Sequence, residues 1–406
     1  MKAKSDNREL EQVSAQPDLC VIGGAGHVGL PLALVFASKG LHVLIYDVDE
    51  NAMRMIRSGA VPFAEHGATS LLKHALERGR LSFSSDPAAV AGVPSIVVTI
   101  GTPIDEFLNP VLNTVKLCID ELLPYLSEEQ LIVLRSTVSP RTTQWLDEYL
   151  RSRGKVMKLS FCPERVVQGR GIEEVQQLPQ IVSGTTPEAE SEAARLFQLI
   201  VPLVVRLSPL EAEFAKLFSN AYRYVQFAAS NQFYMIANSA GADYHRILTG
   251  MKQNYPRLEG LPGPGFAAGP CLFKDTMQLV AFANNQFSLG NVAMLVNEGL
   301  VLYLVDEIAS TYDLSKLCVG LLGMAFKADS DDTRSSLSYK LKKVLAVRAR
   351  EVLTTDPHVT SDSDLIPLEE VIEKSELLIL CVPHSAYAAL DVKGKPVVDI
   401  WGYLGD

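Results

Sequence analysis

Short runs of apolar residues alternate with amphipathic stretches along the first half of the chain. "DLCVIGG" (18–24), "LHVLIYDVD", "PSIVVTI", "QLIVLRST" and "KVMKLSF" are predominantly apolar, and glycine, proline or polar residues close most of them. Helical patterns such as "LPLALVFASKG", stopped at Gly40, lie between them. Strands that are apolar on both sides are covered on both faces, and strands alternating with helices imply a parallel sheet. The spacing predicts a doubly wound domain over residues 18–208.

From Pro209 the period changes. In "EAEFAKLFSNAYRYVQFAASNQFYMIANSAG" the residues Phe214, Leu217, Phe218, Ala221, Val225 and Ala228 recur at helical spacing. A loop, "YPRLEGLPGPGFAAGPC", separates this helix from a second long helical run through "NVAMLVNEGLVLYLVDEIAS". Residues 209–312 are expected to be a central helical domain, whose long apolar helix could also serve as a dimer surface. Strands then return: "KLCVGLLGMAF", "REVLTTDP", "ELLILCVP" and "KPVVDIW" predict a second α/β domain over 313–406. It echoes the first, with a glycine-ended strand, a helix, and a strand ending in aspartate. The expected fold class is α/β: two Rossmann-like, doubly wound parallel-sheet domains joined by a central helical domain. Residues 1–17 are polar, lack the apolar core of a signal peptide, and are expected to form a flexible tail.

Composition narrows the partners. A chain of 406 residues is too long for one ordinary domain. Its net charge of −10 argues against nucleic acid or an anionic membrane surface held by charge. No apolar stretch runs unbroken for about 18 residues, so no membrane span and a cytoplasmic location are expected. The six cysteines include no CxxC pair and the seven histidines no ligand spacing, so no metal is implied. Cys20, Cys118, Cys162, Cys318 and Cys381 lie in apolar strand-like or helical runs and read as small buried hydrophobes. Cys271 stands apart: it follows a glycine- and proline-rich loop and precedes Lys274 and Asp275.

"GGAGHVG" places Gly24, Gly26 and Gly29 in G-x-G-x-x-G spacing between a strand and a helix, and Asp47 ends the next strand. That context is a dinucleotide-binding turn. Gly24 would permit the tight turn, Gly26 the approach of a pyrophosphate, and Gly29 the packing of helix on strand. The helix N-terminus offers N–H groups to phosphates. A carboxylate at Asp47 would accept from a ribose 2′-hydroxyl and disfavour a 2′-phosphate, so NAD is the expected cofactor. Lys216 and Asn220, four apart, share one helix face; a solvated face and a site are both open readings. Ser136, Thr137 and Glu164 follow strands, where open α/β sheets place ligand groups.

The ordered set "VIGGAGHVGLPLA", "GTPIDEFLNP", "RSTVSP", "CPERVVQGRGIEEVQQLPQIVSG", "EFAKLFSNAYR", "GPGFAAGPCLFKD", "GLLGMAFKADSDDTRSS" and "VVDIW" resembles the UDP-glucose/GDP-mannose dehydrogenase family over nearly the whole chain. These are NAD-dependent nucleotide-sugar 6-dehydrogenases. The resemblance implies oxidation of a sugar C6 alcohol to the carboxylate in two hydride transfers, through a cysteine thiohemiacetal and thioester. By that resemblance Cys271 is the nucleophile, Lys216 and Asn220 stabilise the oxyanion, and Asp275 handles protons and water. Glu164 matches the glutamate of the hydrolysis step and Thr137 the threonine that holds its water. Thr102, Ser136, His27, Val28 and Arg334 match cofactor-side positions. Lys327 matches a lysine on the substrate diphosphate, Gly269 a position against the substrate, and Arg257 an arginine that reaches a neighbouring subunit's sugar. A homodimer or higher homo-oligomer is implied as well.

Several positions depart from the glucose-type pattern. Gln168 stands where a second glutamate is usual, and Ala267-Ala268 replace a Gly-Gly pair. "CPER" and "YPR" resemble the branch acting on N-acetylated hexosamine nucleotides, while "KD" after the cysteine resembles the glucose branch. UDP-glucose and a UDP-N-acetylhexosamine both stay open. A two-electron β-hydroxyacid-type dehydrogenase needs neither the cysteine nor the second α/β domain. A catalytically silent nucleotide-binding scaffold would not need the set Cys271, Lys216, Asn220, Asp275 and Glu164.

Overall fold

Each apolar run named above is a strand in the computed structural model, which describes residues 16–102, 104–105, 111 and 113–404. Residues 1–15 of the expected tail and most of "PIDEFLNP" lie outside the described residues. The strands among the described residues are β1 Leu19–Ile22, β2 Val43–Tyr46, β3 Leu81–Ser84, β4 Ser95–Val98, β5 Leu131–Leu134, β6 Lys158–Phe161, β7 Gln180–Val182, β8 Val204–Arg206, β9 Cys318–Leu322, β10 Glu351–Thr355, β11 Leu377–Leu380 and β12 Val397–Asp399. The chain divides into two units. One holds residues up to Gly101 with Asn113–Ser136 and Arg141–Ala212; the other holds Thr102, Thr137–Pro140 and Glu213 onward.

In the first unit six parallel strands run in the order β3-β2-β1-β4-β5-β6. The order reverses between β1 and β4, so the loops after these two strands part and leave a crevice for a ligand. All four residues of β1, β2 and β5 are buried, which is why their sequences are apolar without alternation. The helix Gly29–Ser38 closes over β1 with nearly every side chain buried. Three strands carry no clear signature in the sequence. β3, "LSFS", lies at the sheet edge and is only half-buried. β7 and β8 have three residues each and pair with one another in a small separate sheet. Strands this short supply too few positions for a period to show.

The second unit is built on the helix Pro209–Ser239 from Glu213 onward; the helix has 31 residues and is about 46 Å long at the usual rise per residue. Its buried stripe runs through Leu217, Ala221, Tyr224 and Ala228. Phe218, expected in that stripe, is 53% exposed and stacks on Phe214 at 5.1 Å. Successive helical residues point about 100° apart, so the residue after the inward Leu217 turns outward. A second long helix, Ser288–Thr311, buries Ala293, Asn297, Leu300, Leu304 and Ile308 along one face. Its Leu300, Val301, Leu304, Val305 and Ile308 share a core with Val319 and Leu321 of β9. That strand is central to a four-stranded parallel sheet, β10-β9-β11-β12. Among the described residues, no helix is long and apolar enough to cross a membrane.

Candidate active site

The glycine turn follows β1 as the sequence requires, with one shift. The positive φ, +74°, falls at Gly23 rather than Gly24. Gly29 is needed for packing: a Cβ there would sit 2.2 Å from the Gly23 carbonyl oxygen and 2.8 Å from Thr99 Oγ1. Gly26 is exposed, and a Cβ there would meet nothing closer than 3.4 Å, so its backbone faces open space. No side chain caps the helix, whose N-cap is Val28. Asp47, half-buried at the end of β2, is aimed at the turn by two backbone donors. Ala25 N–H donates to Oδ2 (2.9 Å) and Asp49 N–H to Oδ1 (3.0 Å). His27 lies over Phe63 at 4.1 Å between ring centroids, and its Nδ1 is 3.0 Å from Gln168 Nε2. An uncapped helix N-terminus beside an oriented, partly exposed carboxylate suits the pyrophosphate and ribose of NAD.

In the second unit, Lys216 and Asn220 occupy no solvated face, since each is only 7% exposed. Asn220 Nδ2 donates to Asp275 Oδ2 at 2.6 Å. Asp275 is fully buried in the first turn of the helix Leu272–Phe282, whose N-cap is Cys271. Its backbone N–H donates to the Cys271 carbonyl (2.8 Å), which fixes carboxylate and thiol in one turn. Asp275 Oδ1 accepts no hydrogen bond from the described residues and faces Lys274 Nζ at 3.6 Å. Lys274 Nζ donates in turn to the Thr102 carbonyl (3.1 Å), and Thr102 Oγ1 to the Thr137 carbonyl (2.5 Å). Thr102, Thr137, Lys274 and Asp275 thus form one chain of contacts, which sequence reasoning lacked. Only the adjacency of Lys274 to Asp275 hinted at it.

All six cysteines are free, and Cys271 is the exposed one. Protein nevertheless crowds its thiol. Desolvation first, then the Asp275 carboxylate, push it above its ordinary value, against the pull of Lys216, Lys274 and Arg334. An atom open to solvent on one side and hemmed in on the others fits both observations. Burial pushes Cys162 and Cys381 up to about 12 and leaves them inert.

Glu164, in the first unit, is held on both oxygens. Oε2 pairs with Arg135, and Oε1 accepts from the N–H groups of Arg165 (2.7 Å) and Val166 (3.0 Å). Arg135 is buried at the end of β5, donates to Gln180 Oε1 (2.9 Å), and lies over the Phe197 ring. Its signal was a charged residue closing an apolar strand. Ser136 Oγ donates to the Ile100 carbonyl (2.6 Å), so only its lone pairs remain for a ligand. In the second unit Arg334 is paired with Asp332 (2.6 Å), Lys327 is half-buried, and Arg257 is exposed above the Tyr255 ring. Gly269, two residues before Cys271, packs under Phe326, where a Cβ would come within 2.4 Å of the ring.

One trio among the described residues, Asp329, His358 and His384, brings metal-ligating atoms within 4.8 Å of one another. The Asp329 N–H donates to His384 Nδ1 (3.0 Å), so Nε2 carries the ring proton towards Asp356 Oδ2 (3.1 Å). In that tautomer His384 offers no lone pair to an ion.

Three models of one family match the chain in sequence. They are the UDP-glucose/GDP-mannose dehydrogenase family's NAD binding domain over residues 18–201, central domain over 210–298 and UDP binding domain over 320–406. A UDP-N-acetyl-D-mannosamine dehydrogenase of Pyrococcus horikoshii is 27% identical over 91% of this chain and 90% of its own. An NDP-N-acetyl-D-galactosaminuronic acid dehydrogenase of Ralstonia nicotianae is 26% identical, over 93% and 94%. The solved structure of a UDP-glucose dehydrogenase from Pyrobaculum islandicum superposes with a TM-score of 0.88 at 26% identity. It covers 97% of this chain and 96% of that one.

Proposed function

The chain belongs to the UDP-glucose/GDP-mannose dehydrogenase family and is an NAD-dependent oxidoreductase that converts a nucleotide sugar to its uronic acid; on that premise we propose that Cys271, Lys216, Asn220 and Asp275 carry the chemistry at C6. The observation that carries this reading is the clustering itself. A buried lysine and asparagine on one helix face lie with a buried carboxylate and an accessible thiol in one helical turn.

When bound, NAD would supply the hydride acceptor for each of the two oxidations. The uncapped turn with Gly24, Gly26, His27, Val28 and Gly29 receives its phosphates, and Asp47 its ribose hydroxyls. Thr102, Ser136 and Arg334 are assigned to the cofactor side. In the first oxidation the C6 hydroxyl loses its proton, and Asp275 receives it through water at Oδ1. The resulting aldehyde is attacked by the Cys271 thiolate, forming a C–S bond and an alkoxide. Lys216 and the second N–H of Asn220 stabilise that oxyanion; one such donor is worth about 2.7–4 kcal/mol of barrier. The second oxidation turns the thiohemiacetal into a thioester. Water, held by Thr137 and aided by Glu164, cleaves the C–S bond and returns the thiol. Because Glu164 is fixed by Arg135 and two backbone donors, its part is electrostatic orientation of that water.

Lys327 is assigned to the diphosphate, Gly269 to the sugar, and Arg257 to the sugar of a neighbouring subunit. We place the boundaries at 18–208, 209–312 and 313–406; the three matched segments support them. A cytoplasmic location and a homodimer complete the proposal. A UDP-N-acetylhexosamine is the first substrate to try, supported by the names of the relatives in Pyrococcus and Ralstonia. UDP-glucose is the second, supported by the Pyrobaculum structure.

NADH formation with a panel of nucleotide sugars tests the reading. Two NADH per sugar are expected with one of them. Cys271→Ser should keep NAD binding and form no acid; acid at the normal rate from that variant would refute the thioester route.

A further inference from the structure

The loop before Cys271 is pinned by an amide that the reaction itself does not use. Asn231, fully buried on the helix Pro209–Ser239, grips Gly265 from both sides of its peptide. Nδ2 donates to the Gly265 carbonyl (3.0 Å), and Oδ1 accepts the Gly265 N–H (2.8 Å). The same Nδ2 donates to Asn297 Oδ1 (2.9 Å), and Asn297 Nδ2 donates to the Tyr224 carbonyl (3.1 Å). Asn297 is also fully buried.

The direction of this network is forced. A carbonyl can only accept, so the Asn297 amide must point its nitrogen at Tyr224 and its oxygen at Asn231. Asn231 must then turn its nitrogen to Asn297, which leaves its oxygen for the Gly265 N–H. Gly265 has φ +148°, and a Cβ there would lie 2.2 Å from the Trp401 ring. No side chain fits at that point. The residues that follow are also held: Phe266 and Ala267 are buried, and Gly269 N–H donates to the Ser335 carbonyl (3.2 Å). Five residues separate the pinned Gly265 from Cys271. Tyr224, whose carbonyl sets the network's direction, is one turn beyond Asn220 and two beyond Lys216 on the same helix.

We propose that Asn231, oriented by Asn297, is a positioning residue that ties the thiol loop to the helix bearing Lys216 and Asn220, so that Cys271 reaches the aldehyde before it escapes. The proposal rests on the thioester reading above. Its consequence is specific: a loosened loop harms the capture of the intermediate more than the first oxidation, which needs no thiol.

Asn231→Asp keeps the shape but removes both donated bonds and sets lone pairs against the Gly265 carbonyl and Asn297 Oδ1. In the full-length variant, iodoacetamide should alkylate Cys271 about tenfold more slowly than in wild type at neutral pH. NADH per sugar should fall from two towards one, with the aldehyde trapped by semicarbazide, while NAD affinity is unchanged. A merely structural asparagine would lower the folded fraction and leave both the stoichiometry and the alkylation rate per folded molecule at wild-type values; that result overturns the proposal. Asn297→Asp keeps the acceptor towards Asn231 and loses one donor. It should shift both readouts the same way by less, and it decides the matter should Asn231→Asp fail to fold. If wild type itself does not yield two NADH, the thioester reading fails, and the alkylation rates still decide whether Asn231 positions the thiol.

Discussion

Lys216 makes no hydrogen bond or ion pair with any described residue, yet it is almost wholly buried and its charge is felt at Cys271. A buried cation without a carboxylate of its own is costly, and an anion formed nearby relieves that cost. In the proposed reaction the Cys271 thiolate and the oxyanions are such anions. Lys216→Ala removes a positive charge from beside a thiol that desolvation and Asp275 already push up. The thiol should therefore ionise at still higher pH. The alkylation rate of Cys271 plotted against pH should shift to the alkaline side, and acid formation should fall by about a hundredfold or more. An unmoved profile would remove Lys216 from the thiol's environment. At this scale the residue types were legible in the sequence. Cys271, Lys274 and Asp275 are contiguous, and Lys216 and Asn220 are one turn apart. The partners Asn231 and Asn297 were not, because nothing in their neighbourhood along the chain sets them apart from other polar residues of a helix, and only their contacts distinguish them.

At the scale of elements, the two strand–turn–strand units repeat one device with opposite outcomes. In each, an aspartate at the end of the second strand accepts from the turn after the first. Asp47 takes Ala25 N–H, while Asp356 takes Met324 N–H (2.6 Å) and Ala325 N–H (2.9 Å). Asp47 stays partly exposed, whereas Asp356 is sealed by His384, and the side chains of both are fully buried. Burial alone would raise the Asp356 carboxyl. The hydrogen bonds from His384 and from the His358 and Ala325 N–H groups outweigh it and hold it far below the usual range. The sign follows from linkage. A carboxylate depressed in the folded state stabilises it fully above the unfolded value of about 4, and that stability is lost as pH falls towards the folded value. Asp356→Asn should thus cost about 1.5–3 kcal/mol at neutral pH. Its deficit in urea melts should be constant above about pH 5 and narrow below about pH 4. His358, Tyr339 and Tyr387 also bear on this group, so the comparison is with wild type at each pH. The echo between the two halves was visible in the sequence. That only one half keeps its aspartate open depends on His384, 28 residues further on.

At the scale of the whole molecule, two helices of the second unit present apolar faces to solvent. Phe218, Tyr222, Phe233 and Ile236 lie along one side of Pro209–Ser239, and Leu289, Val292, Leu295 and Leu302 along one side of Ser288–Thr311. Patches of this kind mark association, and a second copy of the chain is the occupant proposed. Wild type should run as a dimer in light scattering after gel filtration. Tyr222→Glu with Ile236→Glu should convert it to a monomer with its secondary structure intact. A monomeric wild type would end that proposal, and with it the reach of Arg257 into a neighbour.

By itself the sequence determined the order of the longer apolar strands and the helices between them, the nucleotide turn, and Cys271 as the one cysteine set apart from the apolar runs. These are local matters: strands buried on both faces must be apolar along their length, a G-x-G-x-x-G turn is contiguous, and a helix brings together residues four apart. Tertiary structure decided which polar residues are buried and what they face. The Asn220–Asp275 bond spans 55 positions, the Lys274–Thr102 bond 172, and the Asn231–Gly265 clamp 34. Hydrogen bonds form between groups that folding brings within reach, and no period in the chain records that distance.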